Sequence, residues 1–258
     1  MTFQDAKQRF SNRAEDYARY RPGYPREILD LMGKWCRFSP AHVIADIGSG
    51  TGLLSRIFLE NGNRVFGVEP NAEMRAAGEE FLSRYPRFIS VAGSAEATNL
   101  PEESVDFVAA AQAFHWFDRE PTRREFRRIL KPGGRVVILW NERSLDETPF
   151  LRDYEALLRE FGTDYARVHE SYPRSEQMLE FFGRNEFTSH VLPNFQDFDF
   201  DGLSGRLRSS SYAPAPGHRQ FDPMMAELRR IFDAHQVNGN VRMEYKTRMY
   251  TGRLDVLE

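Results

Sequence analysis

The chain has 258 residues, a formal net charge of −3 and 41% hydrophobic residues, enough for one α/β domain to bury well over half of its unfolded surface. That charge balance argues against a general nucleic-acid or membrane-surface binder, and the single cysteine, Cys36, excludes an intrachain disulfide and a cysteine-based zinc site. Met1 to Ser11 is polar, without an apolar signal core, and no run approaches the roughly 18 apolar residues of a membrane span, so a cytoplasmic protein is expected.

The first stretch, Gln4 to Tyr20, is polar with scattered aromatics and reads as a partly packed helix. Arg21-Pro22-Gly23-Tyr24-Pro25 reads as a turn, and Pro25 opens a helix carrying Ile28, Leu29, Leu31, Met32 and Trp35. Short apolar runs then alternate with amphipathic ones. Strands are predicted at His42–Ile47, Arg64–Val68, Phe88–Val91, Val105–Ala111 and Arg135–Trp140. Helices are predicted between them at Thr51–Glu60, Asn71–Arg84 and Glu120–Leu130. Arg123, Arg124, Arg127 and Arg128 fall at helical spacing and read as a solvated face. Alternating strands and helices imply a doubly wound, mostly parallel α/β sheet. After Asn141 the alternation weakens. Helices fit 148–161, 175–182 and Pro223–His235, and strands fit Thr188–Leu192 and Val241–Tyr250, which would pair as a C-terminal antiparallel edge.

The strongest local signal is Val43-Ile44-Ala45-Asp46-Ile47-Gly48-Ser49-Gly50-Thr51-Gly52, a buried strand running into three glycines and a helix. Glycines there let a ligand approach the backbone where a Cβ would clash. A nicotinamide dinucleotide fingerprint needs its third glycine at position 53, which is Leu53. Asp46, two positions before the first glycine, suits a ligand with an ammonium group rather than a pyrophosphate. Glu69 ends the next predicted strand, just before Pro70, and an acid so placed accepts from both hydroxyls of a ribose.

In this combination the chain resembles the class I S-adenosylmethionine-dependent methyltransferases, strongly over about residues 40–142. The glycine loop matches Asp46 to Gly52, with Gly48, Ser49, Gly50 and Gly52 around the cofactor, and the ribose acid matches Glu69. Gly93-Ser94-Ala95-Glu96 and Leu100-Pro101 stand where the family has a Gly-Asp-Ala motif and a Leu-Pro pair, with Ser94 replacing the family's adenine-contacting Asp. Asp106-Phe107-Val108 and the Leu130-Lys131-Pro132-Gly133-Gly134 turn also match. Ala111-Gln112-Ala113-Phe114-His115-Trp116-Phe117 resembles the small-molecule branch, including trans-aconitate methyltransferase-type proteins. The resemblance implies a Rossmann-like fold with a helical cap and S-adenosyl-L-methionine as cofactor. It divides one methyltransferase domain, 1–258, into an N-terminal cover (1–40), a cofactor-binding core (41–142) and an acceptor-side cap with the final strands (143–258).

Neither an Asn-Pro-Pro-Tyr-like motif nor a Pro-Cys pair is present, so methylation of DNA bases is not expected. A small-molecule acceptor is expected, methylated at oxygen, by a monomer or homodimer and without a metal. The expected cofactor contacts are Tyr20, Arg21, Asp46, Gly48, Ser49, Gly50, Gly52, Glu69, Pro70, Ser94, Ala95, Glu96 and Gln112. Arg21 suits either the methionine carboxylate or an acidic acceptor. His115 is the general-base candidate, and Tyr17, Phe114, Trp116, Trp140 and Tyr212 are the candidate walls of the acceptor pocket. The alternative reading is a catalytically silent, methyltransferase-like protein that binds the cofactor and acts through a partner.

Overall fold

The computed structural model describes residues 19–163, 165, 175–183, 187–210 and 212–254. Among them, seven strands form one sheet in the order β3-β2-β1-β4-β5-β7-β6. β1 (Val43–Ile47), β2 (Arg64–Val68), β3 (Phe88–Val91), β4 (Val105–Ala111) and β5 (Leu130–Arg143) run parallel. β7 (Val241–Gly252) pairs antiparallel with β5, and β6 (Thr188–Phe198) pairs antiparallel with β7 along its whole length.

Helices cover both faces because the crossovers between parallel strands are right-handed. On one face, α1 (Glu27–Cys36), α2 (Leu53–Glu60) and α3 (Ala72–Phe81) pack Ile28, Met32, Ile57 and Phe58 against Ile44, Val65, Phe107 and Leu139. On the other, α4 (Arg119–Ile129) and α6 (Ser175–Phe182) pack Phe126, Ile129, Met178 and Phe181 against Ala45, Val108, Val136 and Ile138. A separate cluster fills the cap. There α5 (Pro149–Phe161), α7 (Phe200–Arg208) and α8 (Phe221–His235) bury Leu151, Tyr154, Leu158, Leu203, Leu207 and Leu228 with Val241, Met243 and Tyr245 of β7. The first half of β7 thus belongs to the cap, whereas Met249 and Tyr250 lie in the sheet core.

Four expectations change. β5 starts at Leu130, so the Lys131-Pro132-Gly133-Gly134 turn is an irregularity inside the strand, accommodated by a register shift between Val105 and Phe107. β6 continues to Phe198, and α7 was not expected, because Gly202 and Gly205 weaken its helical signal. Arg123 is only 7% exposed, so the arginine-rich face of α4 is not wholly solvated. The helix expected over Gln4–Tyr20, and with it Tyr17, lies almost wholly outside the described residues. No described helix is long and apolar enough to cross a membrane.

Candidate active site at the sheet's switch point

β1 pairs with β2 on one side and β4 on the other, so the chain order of the sheet reverses beside it. The loops after β1 and β4 meet at that point, the usual ligand crevice of an open α/β sheet.

After β1 the backbone turns through Gly48, Gly50 and Gly52, with φ of 67°, 55° and 86°. Packing demands glycine as well as conformation does. A Cβ on Gly48 would stand 2.6 Å from Ala113 Cβ, and one on Gly52 would stand 2.5 Å from Leu82 Cδ1. Gly48 N–H donates to the carbonyl of Val68 at 2.9 Å, tying the loop to the end of β2. The Glu69 carboxylate completes that tie, accepting from Gly50 N–H through Oε2 and from Asn71 N–H through Oε1, both at 2.9 Å. Asn71 in turn caps α3 by accepting from Glu73 N–H and Met74 N–H. Pro70, half-buried, lies between them.

Asp46 is 1% exposed beneath this loop. Burial pushes its carboxyl up to about 7, against the opposing hydrogen bond from Ser55 Oγ of α2, 2.6 Å from Oδ2.

The loop after β4 begins with Gln112 in left-handed conformation, φ 58°. Its N–H donates to the carbonyl of Leu139 and its Nε2 to the carbonyl of Asn141 at 3.0 Å, so it is anchored on the end of β5. A single 3₁₀ turn, Phe114–Trp116, follows. The His115 ring lies 4.5 Å from that of half-buried Trp116 and 5.1 Å from that of Trp140. Its Nδ1 is buried without a hydrogen-bond partner, and burial lowers its pKa to about 4. Phe114 and Trp140 are corrections to the expected pocket walls. Each is 2% exposed and belongs to the sheet core, Phe114 edge-on to Phe181 and Trp140 behind His115.

The loop after β3 is a tight turn in which Ser94 and Ala97 exchange backbone hydrogen bonds. Ala95 is buried within it. Glu96 Oε1 accepts from Asp118 N–H at 3.0 Å, which commits that carboxylate to the start of α4.

Tyr20 to Tyr24 form a strap that runs from the cap to the crevice. Tyr24 joins Asp46, the Gly48–Thr51 turn, Leu54 and Ala111 in lining the cleft. The Gly23 carbonyl accepts from Asn141 Nδ2 and Asn194 Nδ2 at 3.0 and 2.9 Å. The Tyr20 carbonyl accepts from Gln196 Nε2, while its ring lies on Gly205 of α7. Arg21 Nη2 donates to the carbonyl of Ser209 at 2.8 Å. Tyr20 and Arg21 therefore stand against the cap, and Tyr24, which the sequence did not single out, stands at the glycine loop. Tyr212 is partly buried against the cap cluster, its ring 5.0 Å from that of Tyr165.

Other site residues escaped sequence reasoning. Ser55 sits among Leu54, Ile57 and Phe58 on the buried face of α2, and Arg206 sits between Leu203 and Leu207 on that of α7. A polar residue within an apolar helical stripe was the available signal in both cases.

A family model described as a methyltransferase domain matches residues 45–138. An uncharacterized methyltransferase of Schizosaccharomyces pombe is 26% identical over 240 residues, covering 90% of this chain and 93% of that protein. An uncharacterized methyltransferase of Mycobacterium tuberculosis is 37% identical over 134 residues, 52% of each chain. Among solved structures, a candidate type II methyltransferase from Anaeromyxobacter dehalogenans superposes with a TM-score of 0.69 at 25% identity, covering 91% of this chain and 98% of that one. A methyltransferase from Geobacter sulfurreducens, solved in complex with S-adenosylhomocysteine, shares the fold with a TM-score of 0.53 at 17% identity, covering 96% of this chain and 98% of that one. With these likenesses added to the glycine loop and the acid that ends β2, residues 45–138 are identified as a methyltransferase domain of the class I, S-adenosylmethionine-dependent type.

Proposed function

We propose that the protein transfers the methyl group of S-adenosylmethionine to an oxygen of a small molecule held between the glycine-loop cleft and the cap. The observation that carries this reading is the Tyr20–Tyr24 segment, which runs from the cleft, lined by Tyr24, to the cap, where Arg21 donates to the Ser209 carbonyl, and so sets the two side by side. A cleft bounded by a few polar and aromatic groups suits a small ligand.

The residues present fit the cofactor. Positive-φ glycines bring bare backbone to the cleft, and Asp46 lies below it to receive an ammonium group. Glu69 is fixed by two amides, and a carboxylate has about four acceptor positions, so those amides do not exhaust it. Ser49, Pro70, Ser94, Ala95 and Gln112 stand on the surrounding loops, where they would shape the site through backbone and packing contacts.

The cofactor supplies a methyl group on a positively charged sulfur, a leaving group that needs no further activation. What remains for the chain is to align the acceptor, exclude water and accept a proton where the acceptor is a hydroxyl. His115 is the candidate for the last step because its imidazole is neutral and its Nδ1 is unpartnered, while burial makes it a weaker base than a free histidine. Trp116 would pack on the acceptor beside it.

Calorimetric titration tests the cofactor half of the reading, with S-adenosylhomocysteine expected to bind and NAD not. Transfer of labelled methyl into a panel of small acids, phenols and amines tests the acceptor half. Labelling of amines alone would defeat the oxygen assignment.

A further inference from the structure

The cap holds buried positive charge that its own acids do not match. Arg143, at the end of β5, has a side chain 7% exposed and pairs with Glu155, which it shares with Tyr165 and the exposed Arg159. Arg206 is 5% exposed and has no carboxylate partner among the described residues. Its Nε donates to Tyr245 Oη at 3.2 Å and its Nη1 to Ser210 Oγ at 2.9 Å. Arg21 approaches the same group from the strap. Burial alone would raise the Tyr212 phenol, yet the guanidiniums of Arg206, Arg143 and Arg21 outweigh it and hold the phenol below its ordinary value.

A second observation is independent of charge. Tyr154 is 1% exposed, and its Oη is buried without a hydrogen-bond partner. The Arg143 guanidinium lies 5.2 Å from its ring centroid, and Arg206, Tyr212 and Tyr245 act on it electrostatically. A buried guanidinium without an acid and a buried hydroxyl without an acceptor are both costly. One anionic oxygen group between them satisfies both.

We propose that Arg206, Arg143 and Tyr154, with Arg21 and Tyr212 beside them, form a subsite for an oxyanion, a carboxylate or phosphate that anchors the methyl acceptor at the end remote from the methylated atom. The proposal rests on the methyl-transfer reading of the crevice and names the class of acceptor it takes. Its reach is set by the chain. Arg21 and Tyr24 are three residues apart, so their Cα atoms are at most about 11 Å apart, and Tyr24 lines the glycine-loop cleft. Arg143 is two residues beyond Asn141, whose carbonyl holds Gln112, a separation of about 7 Å along a strand. An acceptor of ordinary metabolite size spans either distance.

The test titrates the whole chain with sodium malonate and, separately, with sodium phosphate, reading thermal unfolding and heat of binding against sodium chloride at equal ionic strength. Saturable stabilisation is expected from malonate, phosphate or both, and the pattern identifies the anion. Tyr154→Phe removes an oxygen that makes no internal hydrogen bond, so it should fold as the wild type does and weaken anion binding by roughly ten-fold. Arg206→Met should abolish binding. Should that variant not fold, Tyr154→Phe decides. Stabilisation no greater than that of sodium chloride, or unchanged anion affinity in folded Tyr154→Phe, overturns the subsite. S-adenosylhomocysteine binding by the wild type, measured in parallel, separates this failure from failure of the cofactor reading.

Discussion

Glu69 Oε2 accepts the Gly50 amide at 2.9 Å, so the acid that ends β2 and the glycine loop that follows β1 are one unit. The residue expected to read a ribose also holds the loop that admits the cofactor. Glu69→Ala leaves the Gly50 and Asn71 amides without their carboxylate and removes the ribose acceptor. Hydrogen bonds to charged groups are worth about 1.5–3 kcal/mol each, so affinity for S-adenosylhomocysteine should fall at least ten-fold and the unfolding temperature should drop. Glu69→Gln keeps one accepting oxygen and should fall between. An unchanged dissociation constant in folded Glu69→Ala would remove Glu69 from the site.

Asp46 and His115 tilt stability in opposite directions as pH changes. The Asp46 carboxyl is raised from 3.8 to about 7, so the folded state holds a proton that the unfolded state has lost, and stability falls as pH rises from about 4 to about 7. His115 is lowered from 6.5 to about 4, so the unfolded state takes a proton first, and stability falls as pH drops from 6.5 toward 4. The two effects offset each other in the wild type and separate in variants. The unfolding temperature of Asp46→Asn should gain on the wild type across pH 4–7 and keep a constant lead above it, while cofactor affinity falls. A lead that does not change with pH would show that Asp46 ionises normally.

For His115 the discriminating readout is the split between chemistry and binding. With a hydroxyl acceptor, His115→Ala should lower kcat by roughly 10²–10⁴-fold and leave S-adenosylhomocysteine affinity intact. Equal loss of both would mean that His115 only supports the loop. Wild-type activity should not fall through His115 protonation until the pH approaches its value of about 4.

The core was legible because its signals are local. Apolar strand runs, three glycines at fixed spacing and an acid at a strand end specify β1, β2 and the loop between them with no help from distant residues. The cap was not legible for the opposite reason. Arg206 meets Tyr245 from 39 residues away, and Arg21 meets the Ser209 carbonyl from 188 away. No periodicity marks such pairs. Phe114 and Trp140 were drawn toward the pocket by their place after strands, whereas the structure puts both in the core.

Glu155 is the acid that neutralises Arg143. Arg143 and Tyr165 both donate to its Oε2, and Arg159 reaches Oε1 at 2.9 Å. Burial works against its charge, yet these donors hold its carboxyl below the usual range. Glu155→Leu would leave the Arg143 guanidinium buried without an acid, at a cost of roughly 3–5 kcal/mol. Denaturant unfolding should show that loss. A loss under about 1 kcal/mol, the size of an exposed ion pair, would mean that water or another group already serves Arg143.

Gly205 tests the strap without touching charge. In the middle of α7, glycine is about 1 kcal/mol less favourable than alanine, so Gly205→Ala judged from the helix alone should stabilise. The structure argues for a different outcome, because a Cβ at this position would overlap the Tyr20 ring. Tyr20 is held through its carbonyl by Gln196, and Arg21 beside it is held by Ser209, so the ring cannot retreat without disturbing the strap. Gly205→Ala should therefore weaken acceptor binding, read as a rise in KM, while the helix gains little or nothing. Combining it with Tyr20→Ala removes the overlap and should restore the helix gain, so the two changes should be strongly non-additive in a double-mutant cycle. Additive effects, or a stabilised Gly205→Ala with unchanged KM, would show that the strap does not depend on the Tyr20 contact.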